Sequence, residues 1–220
     1  MASADPYTAK AEKNDVSPSQ KIEELRGIIK ECKFGLLVSR NADGHLHSRA
    51  MAPASHKGLV FQFIANEESG KFDELQNDEH VNFSFQDPSS TDWASIAGKA
   101  SVKKDEATIK ALYNPAIKAR RPADPVQELP IGAHGGKLTI VLGQWFGDLK
   151  DGVHTGEPGD PRIAVIEVVP DEWIKTRTTL GQAAEVLKGA ITGEAAAPGA
   201  LRVISGSDLS LARQVEAQPV

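Results

Sequence analysis

The sequence predicts a mainly β fold, a closed antiparallel barrel with peripheral helices. From Phe34 onward the hydrophobic period is two, and short segments rich in β-branched and aromatic residues follow one another. Turn residues such as Asn41-Ala42-Asp43-Gly44 separate these segments, as they do in hairpins. Because regular helices do not alternate with the strands, a doubly wound α/β fold is disfavoured and a barrel is favoured.

Helix signals occur before and between the strands. Ser17-Pro18-Ser19-Gln20 has the form of a capping box with proline at the first helical position, and apolar residues at helical spacing predict a helix over Pro18–Lys33. A short helix is predicted over Gly70–Gln76. Another is predicted after Asp105, which can cap it, and Asn114-Pro115 ends it.

The strands are predicted from the period of two and from the turn residues between them. The last one is strongly apolar and is expected to continue through Trp173-Ile174. The predicted strands are Gly35–Ser39, His45–Pro53, Leu59–Ala65, Val81–Gln86, Trp93–Val102 and Arg162–Pro170.

The chain divides into a central domain and two extensions. Residues 1–16 lack a hydrophobic period and are expected to form a flexible arm, and residues 17–178 are expected to form the barrel domain. Within it, the proline- and glycine-rich stretch 116–142 predicts an inserted loop. Residues 179–220 are expected to form a C-terminal helix, over Thr179–Ala190, and a polar tail.

Composition excludes several classes of partner. The 25 Lys and Arg against 30 Asp and Glu give a net charge of −5, so no general basic field attracts nucleic acid. No apolar run reaches the roughly 18–20 residues that span a bilayer, and the polar N-terminus does not resemble a signal peptide. We therefore expect a cytoplasmic protein without a membrane partner. The single cysteine, Cys32, excludes an internal disulfide and is expected to be structural.

A first candidate site lies on the strand His45–Pro53. Alternation places His45, His47, Arg49 and Met51 on one face of this strand. A guanidinium beside a thioether suits a ligand that is anionic in one part and flat and apolar in another. The alternatives are a solvated face with a surface arginine and, more weakly, a metal site made by His45, His47 and His56.

A second candidate site lies where the strand Leu59–Ala65 leads into a helix. Ser69 supplies a hydroxyl, Gly70 permits close backbone approach and Lys71 supplies a positive charge, which together indicate a phosphate site at the start of that helix. Ser69 is alternatively an ordinary N-cap, and Glu67 and Glu68 would repel an anion. The pairing with Arg49 on the neighbouring strand favours phosphate.

Two tryptophans lie outside the periodic pattern. Trp93 opens a strand that contains Ser95, and Trp145 lies in loop surroundings. Both are candidates either for stacking on a planar ligand or for burial at a dimer interface.

Motifs for other chemistries are absent from the sequence. It contains no Gly-x-Ser-x-Gly elbow, no phosphate-binding P-loop and no Gly-x-Gly-x-x-Gly fingerprint. A hydrolase triad and a Rossmann dehydrogenase are therefore unsupported.

The order of four segments resembles the FMN-binding split-barrel superfamily. The segments are His47-Ser48-Arg49-Ala50-Met51, Phe63-Ile64-Ala65-Asn66 with Ser69 and Lys71, Thr91-Asp92-Trp93-Ala94-Ser95-Ile96-Ala97-Gly98, and Trp145-Phe146-Gly147-Asp148. Within this superfamily the chain is most similar to the general-stress-protein branch of pyridoxamine 5′-phosphate oxidase-like proteins, and to its fungal blue-light-inducible type. The resemblance covers about Tyr7–Trp173.

The resemblance implies an antiparallel split β-barrel and a homodimer with FMN at the subunit interface. It implies that the phosphate is held by Arg49, Ser69 and Lys71. It further implies that the flavin is lined by residues of three strands and of a loop of the partner chain: Ala50, Met51, Ile64, Ala65, Trp93, Ser95 and Trp145.

The resemblance implies an FMN-dependent oxidoreductase of unassigned substrate and suggests a relation to stress or light. Since a flavin carries the hydride or the electrons itself, such a protein needs no acid–base side chain. The alternative is a flavin-binding protein that senses redox state without turnover. An authentic pyridoxamine 5′-phosphate oxidase is disfavoured, because Arg202 and Arg213 lack the Arg-x-His-x-Arg surroundings that such oxidases carry.

Overall fold

The computed structural model of the chain describes residues 6–114, 128–131, 136–139, 146–178, 187, 190–193 and 199–217. The helices are α1 (Pro6–Ala11), α2 (Pro18–Cys32), α3 (Lys71–Asn77), α4 (Glu106–Leu112) and α5 (Gly206–Ala217). The strands are β1 (Gly35–Arg40), β2 (Leu46–Met51), β3 (Phe61–Asn66), β4 (His80–Gln86), β5 (Trp93–Lys103), β6 (Glu128–Ile131), β7 (Gly136–Thr139), β8 (Ile163–Thr178) and β9 (Ala200–Ser205).

Seven strands form one antiparallel sheet. Its order is β2-β1-β4-β5-β8-β3, and β9 pairs with the second half of β8. The sheet curls into a half-barrel, which confirms the split-barrel fold class. The closed barrel expected from periodicity was wrong, because in the described part of the chain no ladder joins the edge strands β2 and β3. They meet only beyond the end of β2, at the Ser55–Gln62 bridge.

The long strand β8 organises the second half of the sheet. Its first half lies between β3 and β5, and its second half lies between β9 and β5. The register with β5 shifts between Ile96 and Gly98. A Cβ atom at Gly98 would lie 2.5 Å from the carbonyl oxygen of Val169, so this irregularity requires glycine.

The concave face of the sheet carries the main core. Four phenylalanine rings from β3 and β4, those of Phe61, Phe63, Phe83 and Phe85, pack with centroids 4.7–6.2 Å apart. The apolar face of α2 and two residues of α3, Phe72 and Leu75, are buried in the same cluster. Cys32 is half-buried against it, and burial, followed by the nearby Asp87, raises the pKa of its thiol.

The predicted elements lie close to the observed ones. Helix α2 ends one residue before the predicted end, where Lys33 adopts a positive φ of 57° and donates its backbone N–H to Ile29. Part of the predicted loop 116–142 is described, and it forms the paired antiparallel strands β6 and β7. The remainder of that loop, and most of the predicted helix Thr179–Ala190, lie outside the described residues.

The two extensions differ from the sequence prediction. The arm contains α1, and its Ala11 is fully buried; Lys13 donates its backbone N–H to the carbonyl oxygen of Leu201 at 3.2 Å. The predicted polar tail contains β9 and α5. In β9 a buried position is occupied by Arg202, which pairs with Glu24 of α2, so the strand lacks an apolar alternation that could be recognised.

Among the helices that the structure describes, none is long and apolar enough to cross a membrane.

A buried ion pair between Asp160 and Arg162 holds two segments in place: the one that precedes β8 and the turn that follows β3. The carboxylate of Asp160 is bound by Arg162 through Nε at 3.0 Å and Nη2 at 2.6 Å, and by the backbone N–H of Gly156 at 2.7 Å. Arg162 also donates to the carbonyl oxygen of Gly147, and its own carbonyl oxygen accepts the N–H of Glu67 at 2.8 Å. The pair therefore fixes both the 146–160 segment and the turn after β3.

Replacing Asp160 by asparagine should lower the free energy of unfolding by about 3–5 kcal/mol at neutral pH, because it leaves the Arg162 guanidinium buried without a counter-charge. The hydrogen bond from Arg162 lowers the pKa of Asp160 from 3.8 to about 2. A carboxylate whose pKa is lower in the folded state than in the unfolded state stabilises the fold at pH values above its unfolded pKa. This contribution is lost as the pH falls through the folded pKa.

Urea denaturation of wild type and Asp160→Asn at several pH values measures this difference. The difference in the free energy of unfolding should have its full size above about pH 4 and should decrease toward about pH 2. The exposed pair of Glu106 and Lys110 gives the control, because Glu106→Gln should cost under about 1 kcal/mol. A difference that does not change with pH would contradict the role given to Asp160.

Candidate functional site

The candidate site lies where the sheet is open, between the edge strands β2 and β3. Strand β2 pairs with β1 so that Arg49 lies opposite Leu37 and His47 lies opposite Ser39. Leu37 is fully buried in the core, so this face of β2 is the concave one. Helix α3 follows β3 and packs against β1 and β5, which brings it beneath the same face. The polar side chains of β2 thus meet α3 at the split.

A carboxylate of α3 holds the arginine of β2. Arg49 donates from Nη2 to Oε2 of Glu74 at 2.5 Å, and from Nη1 to the hydroxyl oxygen of Ser39. Ser39 in turn donates its hydroxyl to Oε2 of Glu74, and Nδ1 of His47 lies 2.6 Å from Oε1. Side-chain exposure is 21% for Arg49 and 10% for Glu74, so the pair is largely withdrawn from water.

Glu74 carries a negative charge in this surrounding. Burial alone would raise the pKa of its carboxyl group, but the hydrogen bonds from Ser39, His47 and Arg49 outweigh burial, so the pKa is lowered. Glu74 was not identified from the sequence. The available signal was its position three residues after Lys71 on the helix, which places both side chains on one side of α3.

Lys71 and Ser69 complete the cluster. Lys71 donates to the hydroxyl oxygen of Ser69, and Ser69 donates to the carbonyl oxygen of Asn66 at 2.6 Å. Burial lowers the pKa of Lys71, repulsion by Arg49 lowers it further, and Glu74 opposes both. Arg49 of β2 and Lys71 of α3 are therefore close enough for their charges to interact.

Two expectations about this turn change with the structure. Ser69 is not the N-cap of α3, because Gly70 occupies that position and the Ser69 hydroxyl bonds back to Asn66. The carboxylate of Glu67 forms an ion pair with Lys104, beyond the end of β5. The negative charge of Glu67 is thereby compensated, and it opposes an anion less than its sequence position suggests.

Other residues predicted for the site lie on the opposite, convex face of the sheet. Ala50 pairs with Leu36, Leu36 with Ser84, and Ser84 with Ser95, so these residues share one face with Trp93. Strands β1 and β4 separate β2 from β5, which puts Ser95 roughly 14 Å from β2 at the usual strand spacing. The Ser95 hydroxyl accepts a hydrogen bond from the amide of Asn82 at 2.9 Å.

The remaining predicted residues lie along the two edge strands. Met51 of β2 is half-buried against the core. Ala65 of β3 is 5% exposed, so mainly its backbone is available to a ligand, and Ile64 packs on a second apolar cluster with Ile163 and Val165. Trp145 lies outside the described residues.

The histidines of the metal hypothesis are not brought together. His47 contacts Glu74, whereas the ring of His56 lies 6.5 Å from that of Phe61. Among the described residues, no group of three or more His, Cys, Asp or Glu side chains is placed to hold a metal ion.

The cluster carries more positive than negative charge. Two cations and a hydroxyl face one carboxylate, and the Arg49 guanidinium retains N–H donors beyond those used by Ser39 and Glu74. Such a donor set suits a phosphate group.

Comparison with known proteins identifies the family of the chain. The sequence model of the family described as "Pyridoxamine 5'-phosphate oxidase like" matches residues 20–125. Protein bli-3 of Neurospora crassa is 37% identical over 212 residues, which cover 94% of this chain and 90% of that protein.

Two solved structures share the fold. One is a Clostridium acetobutylicum protein related to general stress protein 26 of B. subtilis, from the pyridoxinephosphate oxidase family; it has 14% identity, a TM-score of 0.52, and coverage of 75% of this chain and 92% of that one. The other is a heme binding protein from Mycobacterium smegmatis, with 10% identity, a TM-score of 0.51, and coverage of 90% of this chain and 62% of that one. The identity of bli-3 over nearly the whole chain, together with the family match and the split sheet, shows that this chain belongs to the pyridoxamine 5′-phosphate oxidase-like family.

Proposed function

We propose that this chain binds FMN and uses it as the redox group of an oxidoreductase. The observation that carries the proposal is the placement of Arg49 and Lys71, with the Ser69 hydroxyl, at the open edge of the sheet. Two partly desolvated cations that repel each other gain stability from a doubly charged phosphate monoester. The resemblance to FMN-binding split-barrel proteins makes the phosphate of FMN the expected anion.

The rest of the flavin is proposed to lie along the edge strands. In the part of the chain that the structure describes, both β2 and β3 leave backbone N–H and C=O groups without strand partners on the side of the split, where Met51 and Ala65 are placed. Polar edges of a flat ring system can bond to such groups. When bound, FMN supplies the hydride or electron transfer, and the chain's own residues bind and orient it.

The convex face is proposed to be the dimer interface. Leu36 and Leu46 are 49% and 64% exposed on this face, beside the small Ala50. Trp93 and Ser95 lie on the same face but too far from β2 to join its flavin within one chain. A second copy packed here would bring these two residues to the flavin of its partner.

A vitamin B6 phosphate is not the proposed substrate. Arg202 is 7% exposed and bound to Glu24 through Nε at 3.0 Å and Nη2 at 3.2 Å. Arg213 donates from Nε to the carbonyl oxygen of Gly58. Both C-terminal arginines are therefore engaged in packing the end of the chain, one against α2 and the other against the backbone at Gly58.

The purified protein should bind FMN at least about 10- to 100-fold more tightly than riboflavin, because even one charge-assisted contact to the phosphate contributes on the order of 1.5–3 kcal/mol. Arg49→Ala should remove most of this preference. His45→Ala is the control, since His45 is exposed in the turn before β2 and its backbone N–H bonds to Asn41. Flavin fluorescence titration measures both affinities, and equal affinity of the wild type for the two flavins would refute the phosphate site.

Turnover is tested separately from binding. Reduced flavin on the protein should be reoxidised by electron acceptors such as quinones faster than free reduced FMN. Reoxidation at the rate of free FMN with every acceptor tried would instead favour the flavin-binding, redox-sensing alternative.

A dimer should bind FMN and lose it on dissociation, because the proposed site takes residues from two chains. Leu36→Lys places a charge in the proposed interface and should yield monomers with FMN affinity reduced at least about tenfold. Leu211→Lys, at an exposed position of α5, should leave both properties unchanged. Analytical ultracentrifugation at micromolar concentration distinguishes the states, and a monomer that retains stoichiometric FMN would contradict the shared site.

A further inference from the structure

Glu74 is a buried acid in the middle of a site proposed to bind an anion. It is 8% exposed, and its carboxylate accepts hydrogen bonds from two strands, β1 and β2. Burying a carboxylate is costly unless it is paired and hydrogen-bonded. A negative charge next to Arg49 and Lys71 also weakens their attraction for phosphate. An acid at this position therefore needs a reason other than attraction of the ligand.

The geometry of the contacts supplies that reason. The Arg49 guanidinium is held at two nitrogens, with Nη2 on Oε2 of Glu74 and Nη1 on the hydroxyl of Ser39. Because Ser39 itself donates to the same Oε2, the three groups form a closed set of hydrogen bonds. These bonds use two of the five N–H donors of the guanidinium and fix the plane of the other three.

We infer that Glu74 is a positioning residue that holds Arg49 in the orientation in which it binds a phosphate monoester. This inference rests on the proposed function. An arginine side chain loses rotamer freedom when it binds, and a chain already held in place loses less. The charges of Arg49, Lys71 and Glu74 still sum to +1, so the cluster retains its attraction for an anion.

Two other roles for Glu74 predict different results. If Glu74 acts only as a nearby negative charge, both Glu74→Gln and Glu74→Ala should tighten FMN binding. If it only stabilises the fold, Glu74→Ala should weaken FMN and riboflavin alike. The positioning role instead predicts that glutamine preserves binding, because its amide oxygen can still accept from Nη2 of Arg49, while alanine does not.

The experiment is a titration of FMN and riboflavin on wild type, Glu74→Ala, Glu74→Gln, Arg49→Ala and the double variant Glu74→Ala/Arg49→Ala. Glu74→Ala should weaken FMN about tenfold and change riboflavin less than about twofold. Glu74→Gln should stay within about threefold of wild type for FMN. In the Arg49→Ala background, Glu74→Ala should change FMN affinity less than about twofold, because its effect acts through Arg49.

A matched control removes an acid outside the cluster. Glu79 is exposed and pairs with Lys99, and Glu79→Ala should leave both flavin affinities unchanged. Tighter FMN binding in both Glu74 variants, or a parallel loss of both flavins in Glu74→Ala, overturns the positioning role. If Arg49→Ala abolishes the FMN preference and Glu74→Ala leaves the preference at its wild-type value, the inference alone fails. If Arg49→Ala leaves the preference intact, the proposed phosphate site fails, and the inference fails with it.

Discussion

The separation of β2 from β3 is the constraint on which the rest of the site depends. These strands are consecutive in the chain, yet they meet only at the Ser55–Gln62 bridge and then diverge. Helix α3 lies beneath the opening, with Phe72 and Leu75 buried in the core and Glu74 bonded to β1 and β2. Unpaired strand edges are usually a liability for a soluble protein. Here they border a charged cluster, and the proposed site uses the opening between them as the route by which a ligand reaches both edges.

The charges around the opening are arranged so that cations remain available on rigid elements. Arg49 is fixed by Glu74 and Ser39, and the turn that carries Ser69 and Lys71 is tied through Glu67 to the backbone of Arg162. Arg162 is itself held by its buried ion pair with Asp160. Sites held by such packed and hydrogen-bonded supports bind with less loss of conformational entropy than sites on free loops. The two largely buried ion pairs thus connect the proposed site to the rest of the fold.

Local patterns were sufficient for the parts of the structure that depend on periodicity. Alternation placed His47, Arg49 and Met51 on one face of β2, and the turn after β3 placed Ser69 and Lys71 near them. The role of Glu74 was not predicted from the sequence, because a glutamate on a short amphipathic helix is ordinarily solvated and only the tertiary packing of α3 buries it. Strand β9 was not predicted either, because its buried position 202 holds an arginine, which pairs with the sequence-distant Glu24. Both cases are long-range ion pairs, and a pattern within a short window does not contain them.

The central claim, that the cluster at the split binds the phosphate of FMN, is tested most directly by the chromophore of the protein itself. The protein should be purified under native conditions, its visible spectrum recorded, and the small molecule released on denaturation identified by mass. A flavin spectrum with release of FMN in amounts stoichiometric with the chain is the result the account predicts. A heme spectrum, release of riboflavin alone, or a colourless protein that takes up no FMN on reconstitution would contradict it.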